Sequence, residues 1–205
     1  MQIAIKYKKN ITFGFYLFYL FTVGLGLFSI YQIINKISIA AIYDLGKTAG
    51  ELALGFFCLT LIPGIFRRFK WRSAFVQILM LFRRQLGIST FLLGFLHYGA
   101  LRLFPILFAG VPLNTNPPVF EIFGMLTLYP MTLLFLTSND LSVRRLGQWW
   151  KVLHSLSYIL VWTLFFHTAL QSKMTWMSII GIVALLELAS LIYSKFSIRN
   201  TLEVD

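Results

Sequence analysis

The sequence has few charged residues, very few acidic ones and a single cysteine. Only 12% of its 205 residues are charged, and Asp and Glu together number 7. One cysteine can form neither an intrachain disulfide nor a cysteine-based metal site, and the apolar run around Cys58 predicts a small buried residue. We also find no internal repeat, no low-complexity segment and no polar stretch long enough for a separate soluble domain.

The chain is instead rich in apolar residues. They make up 58% of the chain, and the mean hydropathy is +0.78. A soluble domain of this length could not bury so much apolar surface, so the composition predicts an all-α integral membrane protein. A spanning helix needs roughly 20 residues. Six segments qualify, at about 11–33, 47–66, 85–106, 118–137, 152–171 and 174–194.

The 18 Lys and Arg residues are distributed unevenly among the loops. If the N-terminus is cytoplasmic, four of them face outward, and all the others face the cytoplasm. The four are Lys36, Lys47, Arg102 and Lys173. The positive-inside rule therefore predicts that both termini are cytoplasmic. Orientation accounts for most of the net charge of +11, so we expect membrane lipid around the chain and no nucleic-acid partner.

The three histidines, His97, His154 and His167, all lie in or at the ends of apolar segments. An ionisable side chain is costly inside a membrane, and imidazole is the usual axial ligand of haem iron. In the predicted topology the third and fifth segments run in the same direction. At 1.5 Å per residue, His97 lies roughly 20 Å and His167 about 24 Å above the inner edge. The two can therefore reach one iron from opposite sides, in the outer half of the membrane.

His154 does not fit that pair. It precedes His167 by 13 residues, so it lies about 20 Å lower and is offset by about 140° on an ideal helix. The two would share a face only if the helix were over- or underwound, for instance by a single-turn bulge. At the corresponding level the third segment holds Arg83 and Arg84 instead of a histidine. A histidine that only hydrogen-bonds a neighbour is the simpler alternative at each of the three positions.

Several other side chains are candidates around a haem. Cationic groups can pair with haem propionates or a flavin phosphate, or can simply set the topology. We expect the porphyrin to be walled by apolar rings, and Trp149 and Trp150 to form an interfacial belt. The cationic candidates are Arg83, Arg84, Arg144, Arg145 and Lys151 at the inner face and Arg102 at the outer face. The ring candidates are Phe91, Phe95, Phe165 and Phe166.

Two stretches of the sequence resemble a known family. These are FRRQLGISTFLLGFLHYGALRLF (82–104) and LTSNDLSVRRLGQWWKVLHSLSYILVWTLFFHTAL (136–170). They are similar to the ferric-reductase-like transmembrane superfamily, and within it to the MsrQ (formerly YedZ) family. The specific elements are RRQLG before the first histidine, TSN ahead of RRLGQWW, and WKVLH followed by a histidine 13 residues on.

The resemblance implies a six-helix, haem-binding domain over residues 1–205, in a bacterial inner membrane. It implies haem b with His97 and His167 as iron ligands. His154 would hold a second haem or help to organise a flavin, since flavin mononucleotide (FMN) is associated with the family. Members take electrons from a cytoplasmic flavin reductase or the quinone pool, and pass them to a periplasmic molybdenum-containing methionine sulfoxide reductase. We expect any flavin–nicotinamide domain to belong to another protein.

Two alternatives stay open. One is a ferric or other metal reductase, or a quinol-linked oxidoreductase, with an unrelated acceptor. The other is a haem-free transporter or assembly protein, which would need polar residues that converge within the membrane. Glu51, Glu121 and Glu187 are the acidic candidates, and we expect them on three helices with no shared depth.

Overall fold

The computed structural model describes residues 6–171 and 174–202, and these form helices joined by turns, with no strand among them. Lys173 and both chain ends, which belong to the predicted topology, lie outside the described residues. The helices are α1 Lys8–Ile34, α2 Ile39–Arg68, α3 Ala74–Leu81, α4 Arg83–Tyr98, α5 Phe104–Ala109, α6 Val119–Leu136, α7 Asp140–Leu146, α8 Gln148–His154, α9 Ser157–Leu170 and α10 Met174–Leu202.

Within the described part of the chain, six helical stretches are long and apolar enough to cross a membrane, as predicted. They are Lys8–Ile34, Ala40–Arg68, Arg83–Ala109, Val119–Leu136, Gln148–Leu170 and Met174–Ser197. The largest difference from the prediction is at the second stretch, which begins at Ala40 instead of about residue 47. Its first three turns contain Asp44 and Lys47, so hydropathy alone places the start of this helix too late. The six-helix membrane fold is confirmed.

Two of the six stretches are irregular. The third contains a π-helical turn, Gly99–Leu103, directly after Tyr98, and ends where Gly110 adopts a left-handed φ of 67°. The fifth is broken between α8 and α9, where Ser155 and Leu156 donate tight i→i−3 backbone bonds to Val152 and Leu153. An irregular turn therefore separates His154 from His167, but it is a tightened turn and not the bulge given as an example above. The bulge lies in the third stretch, next to His97.

Short helices connect the spans. In α3, the Ser73 side chain caps the N-terminus by accepting from the backbone N–H of Val76. In α7, Asn139 plays the same part for Ser142, and the helix ends on Arg144 and Arg145, whose charge suits a helix C-terminus. Hydropathy did not predict either helix, because neither is long enough to span a membrane.

The main core lies between α2, α9 and α10. It is built from Leu, Ile, Val and Phe side chains together with Cys58, which is free and buried as predicted. The second helix also packs along α4, while α9 packs against α6, and α1 lies against α4. This arrangement brings α2, α4, α6 and α9 around one interior space.

Candidate functional site

His97 of α4 and His167 of α9 meet inside the bundle, as the depth estimate predicted. The centres of their rings are 6.3 Å apart, and the ring planes are nearly perpendicular, at 86°. His167 ends the apolar run of α9, and His97 is followed by the π-helical turn. Because the rise per helical residue is fixed, two parallel helices of similar inner start place these residues at one level.

Both imidazoles line a cavity of about 720 Å³ between α2, α4, α6 and α9. This volume lies within the range of small-molecule and cofactor sites, about 300–1,000 Å³. Leucine and methionine side chains such as Leu54, Leu128 and Met131 form much of its wall. The cavity has a charged rim where α4 ends and α6 begins, and we call this the Arg102 end of the bundle. We call the opposite end, where α4 begins, the Arg83 end.

Each imidazole is held by a backbone carbonyl from a neighbouring helix. The Nδ1 atom of His97 lies 2.9 Å from the carbonyl oxygen of Gly46, and that of His167 lies 2.7 Å from the carbonyl oxygen of Phe120. A carbonyl can only accept, so both rings carry their proton on Nδ1, and Nε2 carries the lone pair. Histidines that bind metals are commonly fixed in this way, by a hydrogen bond from the nitrogen that does not ligate.

Gln171 contacts the other nitrogen of His167. His167 lies one helical turn before Gln171. The amide nitrogen Nε2 of Gln171 is 3.1 Å from the ring nitrogen Nε2 of His167. The amide therefore donates to the lone pair that a metal would need. Gln171 lies at the end of α9, on the cavity wall.

The rim at the Arg102 end carries charges of both signs. Arg102, an outer-face candidate, forms an ion pair with Glu121 of α6, and the Lys47 ammonium lies 4.3 Å from the centre of the Tyr43 ring. Glu51 also lines the cavity. Glu51 of α2 and Glu121 of α6 therefore line the same cavity, although we expected no convergence of the acidic candidates. Glu187 lies elsewhere and pairs with Arg68.

The four predicted ring walls do not line this cavity. Phe91 stacks on Phe135 with ring centres 4.4 Å apart, and Phe165 and Phe166 pack on one another. Phe120 is the phenylalanine that lines it. These expectations failed because sequence proximity to a histidine does not fix which face of a helix a side chain occupies.

His154 lies apart from the cavity and makes contacts of its own. Its Nε2 is 3.0 Å from the Thr137 hydroxyl, and its ring stacks on Trp150 at 4.1 Å. The indole N–H of Trp150 donates to the carbonyl of Thr137, which ties α8 to the end of α6. These contacts match the simpler alternative for this residue, a histidine bound to its neighbours.

Arg83 and Arg84 form the first turn of α4, at the Arg83 end, close enough to His154 for their charges to act on it. Arg84 donates to Asp140 at 2.8 Å, and this hydrogen bond holds the pKa of the exposed Asp140 carboxyl below its usual value. Neither arginine lines the cavity. The sequence candidates therefore divide into two groups, one at each end of the bundle.

Sequence reasoning missed the carbonyls of Gly46 and Phe120, since any residue can supply one. It also missed Gln171, although its spacing of four residues from His167 puts both on one helix face. Among the described residues no three His, Cys, Asp or Glu side chains converge on a metal site. Two imidazoles are nonetheless a sufficient protein ligand set for haem iron, because the porphyrin supplies the other ligands.

More than half of the chain is similar to a known family of membrane proteins. The family described as "Ferric reductase like transmembrane component" matches residues 49–165, which is more than half of the chain; the match includes His97 and His154 and ends two residues before His167. No solved structure is significantly similar to the chain.

Curated relatives are similar over about the same length. A protein of Brucella anthropi named "Protein-methionine-sulfoxide reductase heme-binding subunit MsrQ" is 33% identical over 121 residues, which are 56% of this chain and 50% of the relative. Proteins of the same name from Brucella ovis and Brucella melitensis are each 32% identical over 118 residues, 55% of this chain and 50% of the relative. The chain spans about half the length of the curated relatives it matches.

Proposed function

Since the chain belongs to the ferric reductase like transmembrane component family and is a multi-pass membrane protein, we propose that it is an electron-transfer subunit that binds haem b through His97 and His167. The observation that carries the proposal is the arrangement of these two rings. Metal–imidazole bonds are about 2 Å long, so imidazoles on opposite sides of one iron have ring centres roughly 6 Å apart. The centres here are 6.3 Å apart.

The chain's residues would hold, orient and shield the group. The carbonyls of Gly46 and Phe120 keep both Nε2 atoms in the ligating form, and Gln171 has to rotate away from His167. Lys47 and Arg102 on the rim could pair with propionates, while the leucine and methionine wall excludes water. When bound, a haem held by both histidines would supply one-electron transfer in preference to oxygen binding.

We place one haem in the chain. His154 bonds to Thr137 and stacks on Trp150, and Arg83 and Arg84 lie near it where a second ligand would be needed. The same Arg83 end, which we place in the cytoplasm with both termini, is where FMN or an electron donor would meet the chain. A cytoplasmic flavin reductase and the quinone pool are both candidate donors.

The names of the relatives favour a methionine sulfoxide reductase as the acceptor. We propose that its molybdenum-containing catalytic subunit docks at the Arg102 end, on the periplasmic side of a bacterial inner membrane. The charged rim, with Lys47 and Glu51 beside the ion pair of Arg102 and Glu121, is the polar surface that the described part of the cavity offers there.

A spectrum tests the haem. The purified protein should show a sharp b-type α band in its reduced-minus-oxidised spectrum, and His97→Ala or His167→Ala should abolish it. His154→Ala is the matched control and should keep the band. Absence of haem from wild-type protein expressed with adequate haem would overturn the proposal in favour of a haem-free transporter or assembly protein.

Reoxidation tests the acceptor. The reduced protein should be reoxidised faster by the molybdenum subunit with methionine sulfoxide than by that subunit alone. The family's description favours a second candidate function, a metal reductase. Rapid reoxidation by ferric citrate, with no response to the molybdenum subunit, would support that function instead.

A further inference from the structure

Each cavity histidine lies against a glycine of the neighbouring helix. A Cβ atom added at Gly50 would be 2.6 Å from the Nδ1 of His97, closer than real Cβ contacts come. A Cβ atom added at Gly124 would be 3.0 Å from the Nδ1 of His167 and 3.1 Å from its Cε1. Since the nearest atoms are in both cases those of the imidazole, these two glycines make room for the rings.

Each glycine lies four residues after the residue whose carbonyl holds the histidine ring. Gly50 follows Gly46 by four residues in α2, and Gly124 follows Phe120 by four residues in α6. In a helix every Cα–Cβ bond tilts toward the N-terminus, so the side chain at position i+4 covers the carbonyl of residue i. That carbonyl already accepts the helical N–H of residue i+4, but its oxygen has a second lone pair. A glycine at i+4 leaves this lone pair accessible from outside the helix.

We propose that Gly50 and Gly124 are positioning residues for the two haem ligands. Each allows an imidazole to approach the helix backbone, to donate Nδ1–H to the carbonyl one turn earlier, and to keep the ring orientation that makes the two planes perpendicular. The inference rests on the proposed haem ligation by His97 and His167. It explains why two different pairs of helices hold their histidines in the same way.

Other glycines are crowded by side chains that are not histidines, such as Gly46 by Leu101 and Gly99 by Phe104, whereas two glycines of the spanning helices have room for a methyl group. A Cβ atom at Gly55, five residues after Gly50 in the same helix, would meet only Trp176, at 3.8 Å. At Gly87 of α4 it would meet nothing within 4 Å. Gly55→Ala and Gly87→Ala are therefore matched controls, since both add the same methyl group to a spanning helix without touching a histidine.

Two measurements on the haem-loaded protein distinguish positioning from packing. Perpendicular axial imidazoles give a strongly anisotropic low-spin ferric EPR signal, and a histidine that donates from Nδ1 is a more basic ligand that favours ferric iron. G50A and G124A should each shift the EPR signal away from the wild-type anisotropy and raise the midpoint potential. G55A and G87A should leave both unchanged. Wild-type EPR signals and potentials in G50A and G124A would overturn the inference.

If G50A or G124A loses its haem, a second experiment distinguishes a displaced histidine from general damage to the fold. In His97→Gly, added imidazole should restore a low-spin haem, because the free ligand needs no fixed tether. The double variant H97G/G50A should be restored equally well, since a free imidazole can rotate and shift away from the added methyl group while it binds the iron. Restoration of H97G but not of the double variant would show general damage and contradict positioning. If wild type itself has no haem, or H97A and H167A retain it, the proposed function has failed instead.

Discussion

At the scale of single residues, the cavity combines groups that favour a metal with a group that competes with it. The Nδ1 bonds from His97 and His167 prepare both rings for ligation. Gln171 opposes this, because its amide bonds to the Nε2 of His167. The apoprotein therefore has one hydrogen bond to break before that ring can bind iron.

This competition predicts that Gln171→Leu binds haem more tightly. A hydrogen bond contributes a net of about 0.5–1.5 kcal/mol, so its removal should raise haem affinity by about 2–10-fold. Titration of the apoprotein with haem measures the change. Gln77→Leu, on the exposed surface of α3, is the control and should bind as wild type does. Weaker binding in Q171L would show that the amide stabilises the bound state.

At the scale of helices, an ion pair joins the end of α2 to α10. Arg68 donates to Glu187 at 2.9 Å and to the Ser190 hydroxyl at 3.0 Å, and its guanidinium lies 4.7 Å from the centre of the Tyr158 ring. Glu187 is only 1% exposed. The cluster lies beside the main core and outside the haem cavity, so we assign it to stability.

Replacing one residue of this ion pair should lower the free energy of unfolding far more than replacing both. Arg68→Leu leaves a buried carboxylate without its counter-ion, and we expect a loss of about 3–5 kcal/mol of unfolding free energy. The double variant R68L/E187L should recover most of that loss, since both charges are gone. Unfolding of the purified variants in detergent measures this, with the exposed Arg67→Leu as control. Equal losses in the single and double variants would contradict the account.

The sequence predicted the helices better than the contacts between them. Spans follow from length and hydropathy, and the meeting of His97 with His167 follows from a fixed rise per residue. The partners of those rings do not follow, because Gly46, Gly50, Phe120 and Gly124 act only once α2 and α6 are packed beside them. The wall was also mispredicted for Phe91 and Phe165, since helix rotation is set by packing.

At the scale of the whole molecule, orientation in the membrane decides which partner meets which end. The distribution of Lys and Arg predicts that the Arg102 end is periplasmic and the Arg83 end cytoplasmic. In this orientation, the electron path that we propose would run from the Arg83 end toward the cavity rim. The opposite orientation would put the rim in the cytoplasm.

Cysteine labelling tests this orientation. Cys58 is buried in the main core and can be replaced by alanine to give a cysteine-free background. In intact cells, a membrane-impermeant maleimide should label Asn114→Cys, in the exposed loop between α5 and α6, and should reach Arg72→Cys only after permeabilisation. The reverse pattern would contradict the predicted topology.

The central claim is that one haem is held between His97 and His167. The most direct measurement is the ratio of haem to protein in the purified chain, for wild type and for alanine variants of the three histidines. We predict one haem per chain in wild type and in His154→Ala, and none in His97→Ala or His167→Ala. A wild-type ratio of two that falls to one in His154→Ala would contradict the single site, and unchanged haem in either of the other variants would contradict the ligand pair.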